Sequence, residues 1–145
     1  MRKLGAVPPE AALTVFQRLQ EAEMFDTSKA FSGFSVDDIP AARQFYAETL
    51  GIEVTENWGM LRLRLTEGRE VLVYPKGDKH VPAEYTVLNF PVDDIDQAVA
   101  DLGAAGVSFE PFDGVDEKGV FRLGGPLIAW FRDPAGNILS VVQES

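Results

Sequence analysis

The hexapeptide Phe34-Ser35-Val36-Asp37-Asp38-Ile39 returns as Phe90-Pro91-Val92-Asp93-Asp94-Ile95. The offset is about 56 residues, and a chain that repeats itself at this distance is built from two like units. The register continues beyond the hexapeptide. Ala42 falls on Ala98, and after one deleted residue Leu50-Gly51-Ile52 meets Ala105-Gly106-Val107. Each copy reads as a short apolar strand ending at two aspartates, then a helix stopped by glycine, then further strands.

In the first copy Asp38 is placed as N-cap, with Pro40 in the first turn and Ala42, Phe45, Tyr46 and Leu50 at helical spacing. In the second, Asp94 caps a helix whose apolar stripe is Ile95, Ala98, Val99, Leu102 and Ala105. The paired acids read as caps favoured by the helix dipole, not as a general acid and base. Strands are expected at 52–57, 60–66 and 70–74, with turns at Trp58-Gly59 and Glu67-Gly68. Met60 to Leu65 alternates strictly, so Leu61, Leu63 and Leu65 share one face while Arg62 and Arg64 take the other. The second copy offers strands at 108–112, 127–132 and 138–144, a short one at 120–123, and a Gly-rich acidic stretch over 113–126 suited to a lid or a plain connection. Asp133-Pro134-Ala135-Gly136 suits a type I turn.

The expected fold is α+β: two tandem βαβββ modules, 30–76 and 84–144, within one domain over 30–145. Residues 1–29 form an N-terminal helical extension, in which 9–25 presents Leu13, Phe16 and Leu19 at helical spacing. One domain suits 145 residues, enough to bury roughly two-thirds of the unfolded chain's surface.

Composition narrows the function. With 13 Lys plus Arg against 23 Asp plus Glu the net charge is −10, which repels phosphate backbones and anionic membranes, so neither nucleic acid nor membrane is an expected partner. The absence of cysteine removes disulfides, thiolate nucleophiles and Cys-bound zinc. A single histidine, His80, rules out a site needing two imidazoles from one chain; it falls in the polar stretch between the modules and reads as a solvated linker residue. No apolar run approaches the roughly 18 residues of a membrane span and no signal peptide is read, so a cytoplasmic location is expected.

Five features in order resemble the vicinal oxygen chelate superfamily, the group of glyoxalases, bleomycin resistance proteins and extradiol dioxygenases. They are V-x-D closing the first strand of each module, Phe45-Tyr46 in the first helix, Leu50-Gly51 ending it, the tandem βαβββ modules themselves, and Asp133-Pro134-x-Gly136-Asn137 before the last strand. The resemblance implies that each module curls its mixed sheet into a half-barrel around a shared cleft. It also implies a divalent metal in the catalytic members, held by His, Gln or Glu on the first and last strands of each module. Carried over, those positions fall on Phe31, Val73, Val87 and Ser140, which lack strong donors; no metal and no other cofactor is therefore expected.

Strand alternation then selects the cleft lining: Phe31, Gly33 and Ser35 on the first strand, Val71 and Val73 on the fourth, Val87, Asn89 and Pro91 on the fifth, and Ile138, Ser140 and Val142 on the eighth. Arg62 and Arg64 at the rim would favour an anionic or planar ligand, and Trp130 or Trp58 could stack on one. The expected binding set is thus Phe31, Ser35, Arg62, Arg64, Val73, Val87, Asn89, Trp130 and Ser140, with no catalytic residue assigned. The expected function is metal-free binding of a small, partly apolar ligand in the inter-module cleft, as in the bleomycin-resistance branch. A metal-dependent lyase, isomerase or dioxygenase of the same superfamily is the alternative, and a dimerisation module a third class. A homodimer is the expected assembly.

Overall fold

A computed structural model of the chain describes Thr14, Val15, Gln17 and residues 24–145. It divides into two compact units, Met1–Ala30 and Phe31–Ser145. In the first, Thr14 and Gln17 exchange side-chain to main-chain hydrogen bonds of 2.8 and 3.0 Å, the reciprocal pattern of a capping box. The rest of the helix expected there, with Leu13, Phe16 and Leu19, lies outside the described residues. Among the described residues no helix is long and apolar enough to cross a membrane.

The second unit carries the repeat. Strand β1 (Ser32–Val36) leads to α1 (Ile39–Gln44), then β2 (Glu53–Asn57), β3 (Met60–Arg64) and β4 (Glu70–Pro75). After the linker come β5 (Thr86–Pro91), α2 (Ile95–Ala104), β6 (Val120–Phe121), β7 (Leu127–Arg132) and β8 (Ile138–Gln143). The two four-stranded sheets have the orders β1-β4-β3-β2 and β5-β8-β7-β6, with β1 parallel to β4 and β5 parallel to β8. This is the expected α+β pair of βαβββ modules.

Local chemistry explains the helices. Asp38 accepts from the Ala41 N–H at 3.3 Å and Asp94 from the Gln97 N–H at 3.1 Å, so each second aspartate is an N-cap. After α1 the chain widens into a π-turn over Phe45–Thr49 before Gly51 ends it. That turn delivers Tyr46 and Phe45 to the heart of the molecule: the Phe45 ring lies edge-on to Tyr46 at 5.1 Å and 6.5 Å from Phe131 of the second module.

One face of each sheet packs on this layer. Phe34, Val36, Leu61, Leu63, Val71 and Val73 supply it from module one, and Ala129, Phe131, Leu139 and Val141 from module two, all buried in one cluster. The edge of the second sheet departs from expectation. The strand foreseen at 108–112 contracts to a single bridge between Phe109 and Phe131, and the edge is completed by the two residues of β6. The Gly-rich stretch is pinned rather than lid-like. Asp116 accepts from the N–H groups of Lys118 and Val120 and from Arg122, which also binds Asp96. The Val120 N–H and Arg122 bonds hold the Asp116 carboxyl below its ordinary range. Gly119 is required there: its φ is +90°, and a Cβ would come within 2.7 Å of the Phe109 Cβ.

Candidate functional site

The opposite face of each sheet carries the polar and aromatic groups. In module one the register aligns Thr55, Arg62, Leu72 and Gly33 in one row, and Glu53, Arg64 and Glu70 in the next. Arg62 lies over the Phe31 ring at 5.4 Å and binds Glu70 at 3.2 Å; Arg64 binds the other Glu70 oxygen at 3.1 Å. Two guanidiniums thus converge on one carboxylate beside an aromatic ring that is 56% exposed.

Val73 is not on this face. It is fully buried in the core, and Val71 with it, because β4 pairs with β1 so that Phe34 stands opposite Val73. Phe34 repeats as Phe90, which stands opposite Val141, so the first-module counterpart of Ser140 is Leu72. The β4 residues on this face are Leu72 and Tyr74, both of which a Cβ at Gly33 would touch. Val87 is also displaced: β5 is bulged between Thr86 and Leu88, and Thr86 takes the place opposite Ile138.

In module two, Asn89, Ser140 and Trp130 form one row. Ser140, fully buried, donates its hydroxyl to the Asn89 Oδ1 at 2.6 Å. Trp130 stands among aromatics, with Phe112 at 5.6 Å and Phe121 at 6.3 Å, and Arg132 lies over Phe112. Trp58, by contrast, projects from the β2–β3 turn, 95% exposed.

Two cavities open on these surfaces. One, of about 580 Å³, is walled by Phe112, Trp130, Arg132 and Ile138 of module two. The other, of about 620 Å³, is walled by Gly33, Ser35 and Tyr74 of module one and by Val87. Both share residues 81–85 of the linker and Thr86 of β5 as a common wall. Of the expected binding residues, Ser35, Val87 and Trp130 line cavities, Arg62 lies over Phe31 and shares Glu70 with Arg64 on the module-one face, and Asn89 and Ser140 pair on the module-two face.

His80 is not the solvated residue that the linker composition implies. It is half-buried, with Nδ1 2.8 Å from the Ser35 Oγ and Nε2 2.9 Å from the Ala135 carbonyl oxygen. Asn137 reinforces the tie. Its Nδ2 donates to the Ser35 carbonyl at 2.8 Å and its Oδ1 accepts from the Ala83 N–H at 3.2 Å. Behind it the buried Asp133 accepts from the Ala135 and Asn137 N–H groups, the Asn137 amide and the Tyr46 hydroxyl, the last at 2.7 Å. Burial, and then the Asp133 charge, push the Tyr46 phenol well above its ordinary range.

A family model described as the Glyoxalase/Bleomycin resistance protein/Dioxygenase superfamily matches residues 30–141. The chain belongs to this superfamily. Among solved structures, TnmS3, an antibiotic binding protein from Streptomyces sp. CB03234, superposes with a TM-score of 0.59 at 24% identity, covering 81% of this chain and 97% of that one. A glyoxalase family protein from Enterococcus faecalis gives a TM-score of 0.59 at 25% identity, covering 77% and 94%. UcmS2 gives 0.58 at 24%, covering 78% and 96%. No curated protein matches the chain.

The superfamily's metal is a poor fit to this member. With the register corrected, the four positions are Phe31, Leu72, Thr86 and Ser140: two carry no donor atom, Thr86 offers a lone hydroxyl and Ser140 spends its own on Asn89. Among the described residues no group of three or more His, Asp or Glu side chains is placed to hold a metal ion.

Proposed function

We propose that this superfamily member binds, without a metal, a small, partly apolar organic molecule on the sheet faces turned away from its core. The observation that carries the proposal is the lack of any carboxylate, imidazole or amide donor at Phe31, Leu72, Thr86 and Ser140, beside two cavities of about 580 and 620 Å³. Volumes of a few hundred Å³, apolar and aromatic walls and a few placed polar groups are what a drug-sized ligand requires. Trp130 and Phe112 offer a stacking wall, Arg62 over Phe31 offers a planar cation, and the exposed Asn89, its Oδ1 taken by Ser140, offers its Nδ2 hydrogens. A planar aromatic ligand with an anionic or carbonyl edge suits this set. The kinship in fold with TnmS3, described as an antibiotic binding protein, supports the same reading.

The protein would act as a homodimer, which the exposure of Trp58 and Phe31 favours, and in the cytoplasm, with which a cysteine-free chain is compatible. A thermal-shift screen of planar aromatic antibiotics, with and without added metals, tests the binding role. A ligand that raises Tm in metal-free protein, and loses at least tenfold in affinity on Trp130→Ala or Arg62→Ala, is the expected result. Stoichiometric Mn, Fe, Ni or Zn in the purified protein overturns the metal-free reading. Light scattering that returns the monomer mass overturns the dimer.

A further inference from the structure

We infer that Ser35 and His80 form a nucleophile and general-base pair, and that Ser35 is acylated by carboxylic esters entering the module-one cavity. The argument begins with the tautomer. A carbonyl oxygen only accepts, so the His80 Nε2 that faces Ala135 must carry a proton. In the neutral ring Nδ1 is then a bare lone pair, and its partner at 2.8 Å is the Ser35 hydroxyl, which must donate to it. A serine whose O–H points into an imidazole lone pair, with that imidazole oriented by a third group, is the arrangement that activates a nucleophile.

The orientation is built, not incidental. Ala135 is 7% exposed and sits in a turn closed by the Gly136 N–H on the Asp133 carbonyl at 2.9 Å, with the Asp133 side chain binding the Ala135 N–H at 3.0 Å. Ser35 is held from its other side, since its own carbonyl accepts from Asn137. Ser35 also lines the cavity of about 620 Å³, whose Tyr74, Tyr85 and Val81 form an aromatic and aliphatic wall suited to an aryl or short acyl ester. Ser35 thus borders both the base and the substrate volume.

The step balances without a further reagent. The Ser35 Oγ attacks the ester carbonyl carbon as its proton passes to His80 Nδ1. The tetrahedral adduct collapses, breaking the bond to the leaving oxygen, which takes that proton from the imidazolium. In the second half a water gives its proton to Nδ1 and attacks the acyl carbon, and Ser35 leaves with the proton, releasing a carboxylic acid.

The test uses p-nitrophenyl acetate on the full chain, read by nitrophenolate release and by peptide mass mapping. The expected result is a burst approaching one equivalent, with the mass of one acetyl group on the peptide containing Ser35. Ser35→Ala removes the burst but keeps the main-chain carbonyl that Asn137 binds. His80→Gln, which puts a hydrogen-bonding amide in place of the imidazole, lowers the acylation rate by about 10²-fold or more, the usual contribution of a positioned base. Wild-type protein that is not acetylated at Ser35, or a folded Ser35→Ala protein that keeps the burst, overturns the inference. So does acetyl found on His80 alone. If His80→Gln fails to fold, the wild-type map and Ser35→Ala still decide.

Discussion

The turn between β3 and β4 and the turn between β7 and β8 are one device used twice. Leu65 N–H binds the Arg69 carbonyl at 2.8 Å in the first, and Asp133 N–H binds the Asn137 carbonyl at 3.0 Å in the second. Their fates differ. The first ends in solvent, with Arg69 and Glu67 paired at 3.5 Å and each largely exposed. The second is buried, with Asp133 and Asn137 wired to Tyr46, Ser35 and Ala83. Duplication supplied two equal hairpins; only the one facing its sister module was given polar side chains that must be satisfied inside the protein. The same divergence separates the faces turned away from the core, one built of ion pairs over Phe31 and the other of aromatics around Trp130.

The contrast between the turns is broken most strongly by Asp133→Ala. It strands the Tyr46 hydroxyl, two main-chain N–H groups and the Asn137 amide, and should cost on the order of 3 kcal/mol or more in urea unfolding. Arg69→Ala, at the place in the exposed hairpin that corresponds to Asn137, should fall within about 0.5 kcal/mol of wild type. Equal losses from both would show that burial does not distinguish the two turns.

Tyr46→Phe comes next, at about 1.5–3 kcal/mol, because the bond it removes ends on a charged group. It also carries a pH signature. The folded phenol is raised above its ordinary value of 10.0, so its stabilisation is whole below pH 10 and is lost as pH climbs beyond, where the unfolded phenol ionises. Unfolding followed from pH 8 to 11, a range spanning the ordinary tyrosine value of about 10, should therefore show a shallower alkaline decline in Tyr46→Phe than in wild type.

Gly119→Ala sharpens the comparison of sheet edges. Its φ of +90° and the 2.7 Å approach to Phe109 should together cost about 1–3 kcal/mol, and hydrogen exchange should accelerate over 115–122. The smallest effect is expected at Trp58. Trp58 and Gly59 both have positive φ, the turn geometry that favours Asn-Gly, so Trp58→Asn should leave the monomer equal or up to about 1 kcal/mol more stable. If Trp58 packs in a dimer, the same variant should instead shift light scattering toward the monomer.

The modules, both N-caps, the alternation of β3 and the Asp133 turn were legible in the sequence because each rests on residues close together in the chain. The phase of β4 was not. Val71, Leu72, Val73 and Tyr74 are all apolar or aromatic, so alternation gives no preferred face, and only the pairing of Val73 with Phe34 decides it. Applying the second module's pairing of Phe90 with Val141 to the first would have pointed to Leu72. The role of His80 left no local trace either, since its partners lie 45 and 55 residues away. Tyr74, Phe112 and Arg132 joined the cavities through tertiary placement alone.

The bond from Tyr46 to Asp133 spans 87 positions and that from Asn137 to Ser35 spans 102. Neither copy of the ancestral unit therefore owns its own centre. Cut at the linker, each half would expose orphaned polar groups and bare apolar surface, so the halves should fail to fold apart and regain order only when mixed. In the intact chain the same long closures fall late, which makes for slow folding and a single shared melting event.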